Sequence, residues 1–199
     1  MAGNEKQPIE ASALLVIDVQ DSFTANATRW ATRNNPAFEG NVARLVDAYR
    51  AAELPVIWVL HEDGDELFHP GSPYVRVQPF LQPRDGEPVV RKSTRNAFTS
   101  TDLADRLASL GVRRLAIAGI QTEQCCETTA RVAGDLGYDV DFVTEATLTF
   151  PITDPATGQV QPADAITRAT EFSLRGRFAR IATVDALAAE LQAAAVCSA

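Results

Sequence analysis

The sequence predicts an α/β protein with a three-layer α/β/α arrangement, built on an open, six-stranded, mainly parallel, Rossmann-like sheet. Strand-like and helix-like segments alternate along the chain, which is typical of βαβ units. Most of the strand-like segments are apolar throughout, which indicates a parallel sheet covered on both faces. Because 46% of the 199 residues are hydrophobic, one sizeable core is possible. We therefore expect a single domain over residues 1–199, with residues 1–10 as a flexible N-terminal segment.

The first part of the chain predicts three strands and one helix. Residues 13–18 are apolar up to a final aspartate and predict the first strand. Asn41 is expected to cap a helix whose apolar residues recur over 42–49 at the i, i+3, i+4, i+7 spacing. Residues 56–60 predict a second buried strand, and residues 87–91 predict a weaker third strand.

The middle of the chain predicts two helices around a strand. Thr101 is expected to cap a helix that ends at Gly111 and buries Leu103, Leu107 and Leu110. Residues 115–119 predict the fourth strand. Thr122 is expected to cap the next helix, whose buried face would comprise Cys126, Thr129, Ala130 and Ala133.

The last part of the chain predicts two more strands, over residues 140–143 and 181–184. Between them, Pro162 suits the first turn of a helix that buries Ile166, Ala169 and Phe172. Asp185 is expected to cap the final helix, which packs through Leu187 and Leu191.

Composition narrows the classes of partner. The net charge is −8 and the isoelectric point about 4.8, so phosphate backbones and anionic membranes are disfavoured as partners. The sequence contains no apolar run of membrane-spanning length and no signal-peptide pattern. The cysteine count is three, and Cys125 and Cys126 are neighbours. An odd count favours reduced thiols over a disulfide framework, so we expect a cytoplasmic protein. The predicted ligand edge of the sheet leads us to expect a small-molecule substrate as its partner.

Reactive side chains follow several of the predicted strands. Asp18, His61 and Lys92 come at the ends of the first three, and Gly119 ends the fourth, shortly before Cys125. In an open parallel sheet the carboxyl ends of the strands meet at one edge, where ligands bind. The sequence therefore predicts that these residues converge.

The residue types indicate nucleophilic catalysis. A thiol near a helix N-terminus is expected to favour the thiolate, which makes Cys125 a candidate nucleophile. Asp18 is a candidate base, and Lys92 a cation that would hold the two together. Lys92 is one of only two lysines beside 16 arginines. Taken singly, each has a structural alternative: a buried cysteine, a turn-forming aspartate and a surface lysine.

The long irregular stretches, residues 23–40 and 61–86, are typical of functional loops or subunit contacts. We expect Phe23, Trp30, His61 and Phe98 to line the substrate pocket. In these loops, the aromatic residues are compatible with the lining of an apolar pocket and equally with loop packing or subunit contacts: Trp30, Phe38, Phe68 and Tyr74. His61, Asp63 and His69 are the one candidate metal cluster, but their spacing matches no tight ligand pattern, so we expect no metal and no cofactor.

Three segments carry a family resemblance: LVIDVQDSF at residues 15–23, RKSTRNAF at 91–98 and GIQTEQCCETTA at 119–130. They resemble the isochorismatase-like cysteine hydrolases, which include nicotinamidases, N-carbamoylsarcosine amidohydrolases and isochorismatases. The resemblance implies Asp18, Lys92 and Cys125 as the catalytic residues. It also implies a cis peptide bond between Ile120 and Gln121, and an oxyanion hole formed by the backbone N–H groups of Gln121 and Cys125.

The resemblance implies hydrolysis of a C–N bond in a small amide or carbamoyl compound through a thioester, and a homo-oligomer. Nicotinamidases carry a metal-binding Asp-x-His pair where this chain has His-Glu-Asp at residues 61–63, so their metal site is not expected here. Two alternatives remain: hydrolysis of an isochorismate-like ether without the thiol, and a non-catalytic small-molecule-binding oligomer of the same fold.

Overall fold

The computed structural model describes residues 7–197, with the side chain of Cys197 excepted. Its centre is a six-stranded sheet in the order β3-β2-β1-β4-β5-β8, in which every neighbouring pair of strands is parallel. A separate antiparallel hairpin is formed by β6 and β7. The strands are β1 Ser12–Ile17, β2 Val56–His61, β3 Val89–Lys92, β4 Arg114–Ile120, β5 Asp139–Leu148, β6 Ile152–Thr153, β7 Val160–Gln161 and β8 Arg180–Ile181.

Helices connect the strands and cover both faces of the sheet. Besides a short 3₁₀ turn at Ile9–Ala11, a π-helical turn at Thr122–Cys126 leads directly into α5. The α-helices are α1 Asp21–Thr24, α2 Ala27–Trp30, α3 Phe38–Ala51, α4 Leu103–Ser109, α5 Glu127–Asp135, α6 Ala163–Leu174 and α7 Val184–Cys197.

The residues of β1 alternate between two hydrophobic cores, because successive side chains of a strand point to opposite faces. Leu14 and Val16 belong to the core that includes apolar residues of α3 and α7. Ala13, Leu15 and Ile17 belong to the core that includes apolar residues of α4 and α5. This arrangement confirms the three-layer α/β/α fold and the open parallel sheet.

The strand order changes direction at β1, which lies between β2 and β4. Gly119 allows the close approach of β4 to β1 there: its φ is +137°, and a Cβ added at this position would lie 1.9 Å from the carbonyl oxygen of Ile17. Only glycine fits such a position. The crevice beyond this switch point is where open α/β sheets bind ligands.

Three of the expected helix caps are wrong. Helix α3 already begins at Phe38, so Asn41 lies inside it and donates its side-chain amide to the carbonyl oxygen of Glu145. Thr122 lies within the π-helical turn, where its hydroxyl donates to Thr147. Asp185 lies within α7, whose first turn is capped by Thr183, with the Ala186 N–H as donor. Short polar side chains bond to distant groups as readily as to their own helix ends, so spacing alone does not identify a cap.

Several boundaries and burial assignments also differ. Leu110 follows the last residue of α4 and is 50% exposed, although Gly111 ends the helix as expected. Ala169 and Phe172 lie on the outer side of α6, which packs through Ala163, Ile166, Thr170 and Leu174. The third strand runs over Val89–Lys92, the fifth over Asp139–Leu148, and the sixth ends at Ile181, since Val184 already belongs to α7.

The N-terminal segment is only partly described. Residues 7–10 pack against the domain rather than extending freely: Gln7 donates its backbone N–H to Asp139, and Ile9 is buried. The remainder of the expected flexible segment, residues 1–6, lies outside the described residues, as does the Cys197 side chain. Within residues 7–197, the helices are too short or too polar to cross a membrane.

Candidate active site

Asp18 lies immediately after β1, at the switch point of the sheet. Its φ is +55°, a left-handed conformation that few residues other than glycine adopt, although aspartate tolerates it better than most. The backbone N–H of Asp18 donates to the carbonyl oxygen of Val59 over 2.7 Å, and its side chain is fully buried. Non-glycine residues held in this conformation cluster at functional sites.

Lys92, the last residue of β3, is also fully buried. It is therefore not a surface lysine, which was the structural alternative for this residue. Its Nζ lies 2.8 Å from Asp18 Oδ2, 3.1 Å from His61 Nδ1 and 3.3 Å from Cys125 Sγ. An ammonium group carries three donors and no acceptor, so one lysine can serve all three neighbours. Asp18, Lys92 and Cys125 are thus brought together, as the topology predicts.

Cys125 lies in the π-helical turn, in which the N–H of Cys126 donates to the carbonyl oxygen of Gln121, five residues back. The pKa of the Cys125 thiol is raised to about 12, because burial and the Asp18 carboxylate raise it more than Lys92 lowers it. This direction disagrees with the expectation that the helix terminus favours a thiolate, because desolvation and a neighbouring carboxylate oppose the helix terminus and the ammonium. A raised pKa favours the thiol in the resting site.

Gln121 shapes the wall of the site beside the nucleophile. The Ile120–Gln121 peptide bond is cis, as the resemblance implies, and Gln121 is buried. Gln121 and Cys125 both line the same cavity. The oxyanion hole formed by their two N–H groups stays a prediction.

Gln20 holds the ends of β1 and β2 in register and had no role in the sequence prediction. Its amide oxygen accepts the backbone N–H of His61 over 2.8 Å, and its amide nitrogen donates to the His61 carbonyl over 3.0 Å. These two bonds fix the histidine beside Lys92. Gln20 lies two residues after Asp18, and that spacing is the signal that could have identified it.

His61 is a neutral acceptor in this arrangement. Burial lowers its pKa, and the Lys92 ammonium lowers it further. With the ring proton on Nε2, His61 accepts from Lys92 at Nδ1 and donates to Asp63 Oδ2 over 3.1 Å, so this tautomer satisfies both contacts. The pKa of Asp63 is lowered because its backbone hydrogen bond from Asp65, together with His61, outweighs desolvation.

A cavity of about 230 Å³ opens above Asp18, His61, Gln121, Gln124 and Cys125. Drug-sized ligands occupy pockets of roughly 300–1,000 Å³, so this one suits a smaller molecule. Its remaining wall consists of two aromatic rings, two carboxylates and two guanidinium groups, namely Phe23, Phe68, Asp63, Asp65, Arg29 and Arg95.

Two of the four residues expected to line the pocket are placed elsewhere. Phe23 and His61 line the cavity, but Trp30 and Phe98 do not. Trp30 packs against Phe150, and Phe98 belongs to the core under α4 and α5, where it stacks on Tyr138. Four further residues line the cavity without having been predicted to do so: Arg29, Arg95, Asp65 and Gln124. Arg95 follows Lys92 by three residues and could have been found from that proximity.

The candidate metal cluster does not assemble. His61 and Asp63 are in contact, but His69 lines a separate surface depression with Pro70 and Tyr74. Within residues 7–197, no three histidine, cysteine or carboxylate side chains converge as metal ligands. With Nδ1 of His61 engaged by Lys92 and its Nε2 by Asp63, the residues present do not fit a metal site of the kind that nicotinamidases carry.

A larger depression of about 570 Å³ lies beside β8, lined among others by Tyr138, Arg175, Phe178 and Arg180. None of the predicted catalytic residues reaches it. Because Asp18, His61 and Cys125 line the smaller cavity together, that cavity is the candidate active site.

Comparison with known proteins identifies the family. A family model described as "Isochorismatase domain" matches residues 12–170, most of the chain. The chain belongs to the isochorismatase family. It is 32% identical over 180 residues to the uncharacterized isochorismatase family protein YddQ of Bacillus subtilis, covering 88% of this chain and 97% of that protein.

A second relative, nicotinamidase 3 of Arabidopsis thaliana, is 32% identical over 154 residues, which cover 70% of this chain and 74% of that protein. The crystal structure of an isochorismatase-family hydrolase from Chromobacterium violaceum superposes with a TM-score of 0.86 at 31% identity, covering 97% of this chain and 100% of that one. Family and fold together establish an isochorismatase-family hydrolase.

Proposed function

We propose that this hydrolase cleaves the C–N bond of a small amide or carbamoyl compound through a thioester on Cys125. The observation that carries the proposal is the position of the Lys92 ammonium, which contacts both the Asp18 carboxylate and the Cys125 sulfur inside a buried site. A buried lysine between a carboxylate and a thiol supports the charged state in which the proton has moved from sulfur to carboxylate.

The carboxylate has a free oxygen suited to accept that proton. Asp18 Oδ2 is engaged by Lys92, but Oδ1 is buried without a hydrogen-bond partner in the described part of the chain. Unpaired buried acceptors are rare in folded proteins, and their occurrence at reactive sites points to a catalytic role. We assign Oδ1 as the base that receives the thiol proton.

The reaction then proceeds as acyl transfer. Asp18 takes the Cys125 proton as the substrate binds, and the thiolate attacks the carbonyl carbon. The N–H groups of Gln121 and Cys125 stabilise the oxyanion. Asp18 returns the proton to the departing nitrogen, so that ammonia or an amine leaves and a thioester remains. Water, activated by the same carboxylate, then hydrolyses the thioester.

The thiol pKa of about 12 is compatible with this sequence of steps. A resting thiol avoids two adjacent anions in a buried site, and Lys92 stabilises the thiolate as soon as it forms. The nicotinamidase relative is named for cleavage of an amide, which supports the same bond type here.

One observation favours a second candidate. A relative from Verticillium dahliae, 31% identical over 137 residues, is named a secreted isochorismatase effector. Ether hydrolysis of the isochorismatase type would use Asp18 as the acid and would not need the thiol. Dependence on Cys125 therefore separates the two candidates.

The test is a library of small primary amides and carbamoyl compounds, assayed for ammonia release by the wild type, Cys125→Ala and Cys126→Ala. We expect release with at least one compound, its loss in Cys125→Ala and its retention in Cys126→Ala. Undiminished release by Cys125→Ala would contradict the thioester mechanism. Consumption of isochorismate by both cysteine variants would establish the ether-hydrolase alternative.

A further inference from the structure

The cavity contains two guanidinium groups that the proposed chemistry does not use, Arg29 and Arg95. Both residues are exposed toward solvent at the cavity wall. Among residues 7–197, no carboxylate lies within salt-bridge distance of either guanidinium group. Most arginines outside the site do form a salt bridge with a carboxylate, for example Arg33 and Arg91. The two cations are thus available to a bound molecule.

The Arg95 side chain makes one polar contact among the described residues. Its Nη1 lies 3.1 Å from His61 Nε2. That nitrogen accepts from Arg95 only when the ring proton is on Nδ1; in the tautomer that accepts from Lys92, Nε2 faces Asp63 as a donor. In either tautomer at most one of the Arg95 N–H groups is used, so the others are available at this point of the wall.

Arg29 lies over an aromatic ring, and its side chain donates no hydrogen bond within the described residues. Its Cζ lies 4.5 Å from the ring centroid of Phe150, which is itself buried and stacked on Phe23. Stacking on an aromatic ring orients a guanidinium without engaging its N–H groups. Phe23 lines the cavity, so this aromatic pair positions Arg29 at the cavity margin.

Neither carboxylate of the wall lies within salt-bridge distance of these arginines, although the Arg95 guanidinium is near enough to help lower the pKa of Asp63. Asp63 accepts the backbone N–H of Asp65 and faces His61 Nε2. Asp65 accepts the backbone N–H of Leu67. Both acidic side chains thus stabilise the loop after β2, whereas the guanidinium groups have no comparable acceptor.

We infer that the site selects substrates that carry a carboxylate, with Arg95 and Arg29 binding that carboxylate while the scissile carbonyl lies over Cys125. This inference rests on the proposed function and names its substrate class: monoamides or carbamoyl derivatives of short carboxylic acids. Guanidinium groups bind carboxylates through paired, charge-assisted hydrogen bonds. The small volume of the cavity requires a short spacer between the two ends of such a substrate.

Binding can be tested apart from catalysis in the Cys125→Ala variant. The probes are malonamate, succinamate, glutaramate and N-carbamoylglycine, each paired with its neutral methyl ester and titrated by calorimetry. We expect at least one acid to bind about tenfold or more tightly than its ester, which corresponds to one charge-assisted contact. Adding Arg95→Gln or Arg29→Gln should weaken binding of that acid by a similar factor and leave the ester unchanged.

Arg91→Gln is the matched control, since Arg91 lies near Lys92 in sequence, pairs with Glu62 and is not part of the cavity wall. It removes the same charge and should leave binding of the acid unchanged. Equal binding of acids and esters, no binding of any acid, or equal loss in the Arg91→Gln control would overturn the inference.

Turnover separates this inference from the proposed function. In the wild-type background, Arg95→Gln should raise KM for the acid substrate with little change in kcat, because the contact is made equally in the ground and transition states. Acids that bind selectively to Cys125→Ala but release no ammonia with the wild type would refute the proposed function alone. Ammonia release that is equally efficient from acids and esters would refute the carboxylate site alone.

Discussion

Replacing Lys92 by methionine should destabilise the folded protein as well as abolish activity. The substitution keeps an unbranched side chain but removes the ammonium that contacts Asp18, His61 and Cys125. The Lys92 and Asp18 side chains are both fully buried, so solvent cannot compensate for the lost charge. The variant would retain a buried carboxylate with no cation beside it.

The magnitude follows from that burial. Breaking a buried ion pair by removing one partner destabilises proteins by about 3–5 kcal/mol. For a chain of this size each kcal/mol lowers the melting temperature by about 2–4 °C, so a decrease of about 10 °C is expected.

Thermal unfolding of Lys92→Met, Asp18→Asn and the double variant supplies the measurement. If the unpaired carboxylate is the cause, adding Asp18→Asn to Lys92→Met should recover part of the lost stability. Lys92→Arg, which keeps the charge but has a broader head, should fold yet lose at least about tenfold in rate, or ~1.4 kcal/mol of transition-state stabilisation. A melting temperature for Lys92→Met within about 2 °C of the wild type would refute the buried pair.

Three further predictions concern the thiol, metal and assembly. Iodoacetamide should label Cys125 in preference to Cys126, which is fully buried. The labelling rate should still rise at about pH 10, because the Cys125 pKa is about 12. A plateau of the rate near about pH 9 would indicate an ordinary thiol instead. Elemental analysis should find no stoichiometric zinc, iron or manganese, and chelators should leave activity intact. About one metal ion per chain, lost in His61→Ala, would contradict the prediction that the site holds no metal. Light scattering should give a homodimer or larger assembly, and a mass near 21.5 kDa would mean that the protein is a monomer.

The central sheet could be predicted from sequence because burial on both faces imposes continuous apolar segments. The first two strands, whose residues are all buried, were predicted to within one residue at each end. The third strand alternates between buried and exposed residues, and β8 is only two residues long, so their patterns are weak and their bounds were misjudged. Phe172 fits a helical apolar pattern yet is 80% exposed, because periodicity does not say how wide the packed face is.

The proposed catalytic residues could be placed together from topology, since Asp18, Lys92 and Cys125 lie at or after the ends of strands that meet at one edge. The charge state of the thiol could not be predicted, because it depends on burial and on a neighbouring carboxylate from another strand. The role proposed for Arg29 was also out of reach, because the position of Arg29 at the cavity becomes visible only through a tertiary neighbour, Phe150.

The most direct test of the thioester mechanism is to trap the covalent intermediate. The Cys126→Ala variant is mixed with the best amide substrate, quenched in acid within the first turnovers, digested and analysed by mass spectrometry, with Cys125→Ala treated in parallel. The mechanism predicts that the peptide containing Cys125 gains the mass of the acyl group and that the parallel sample gains none. Ammonia release at the wild-type rate by Cys125→Ala, with no adduct in either sample, would contradict it.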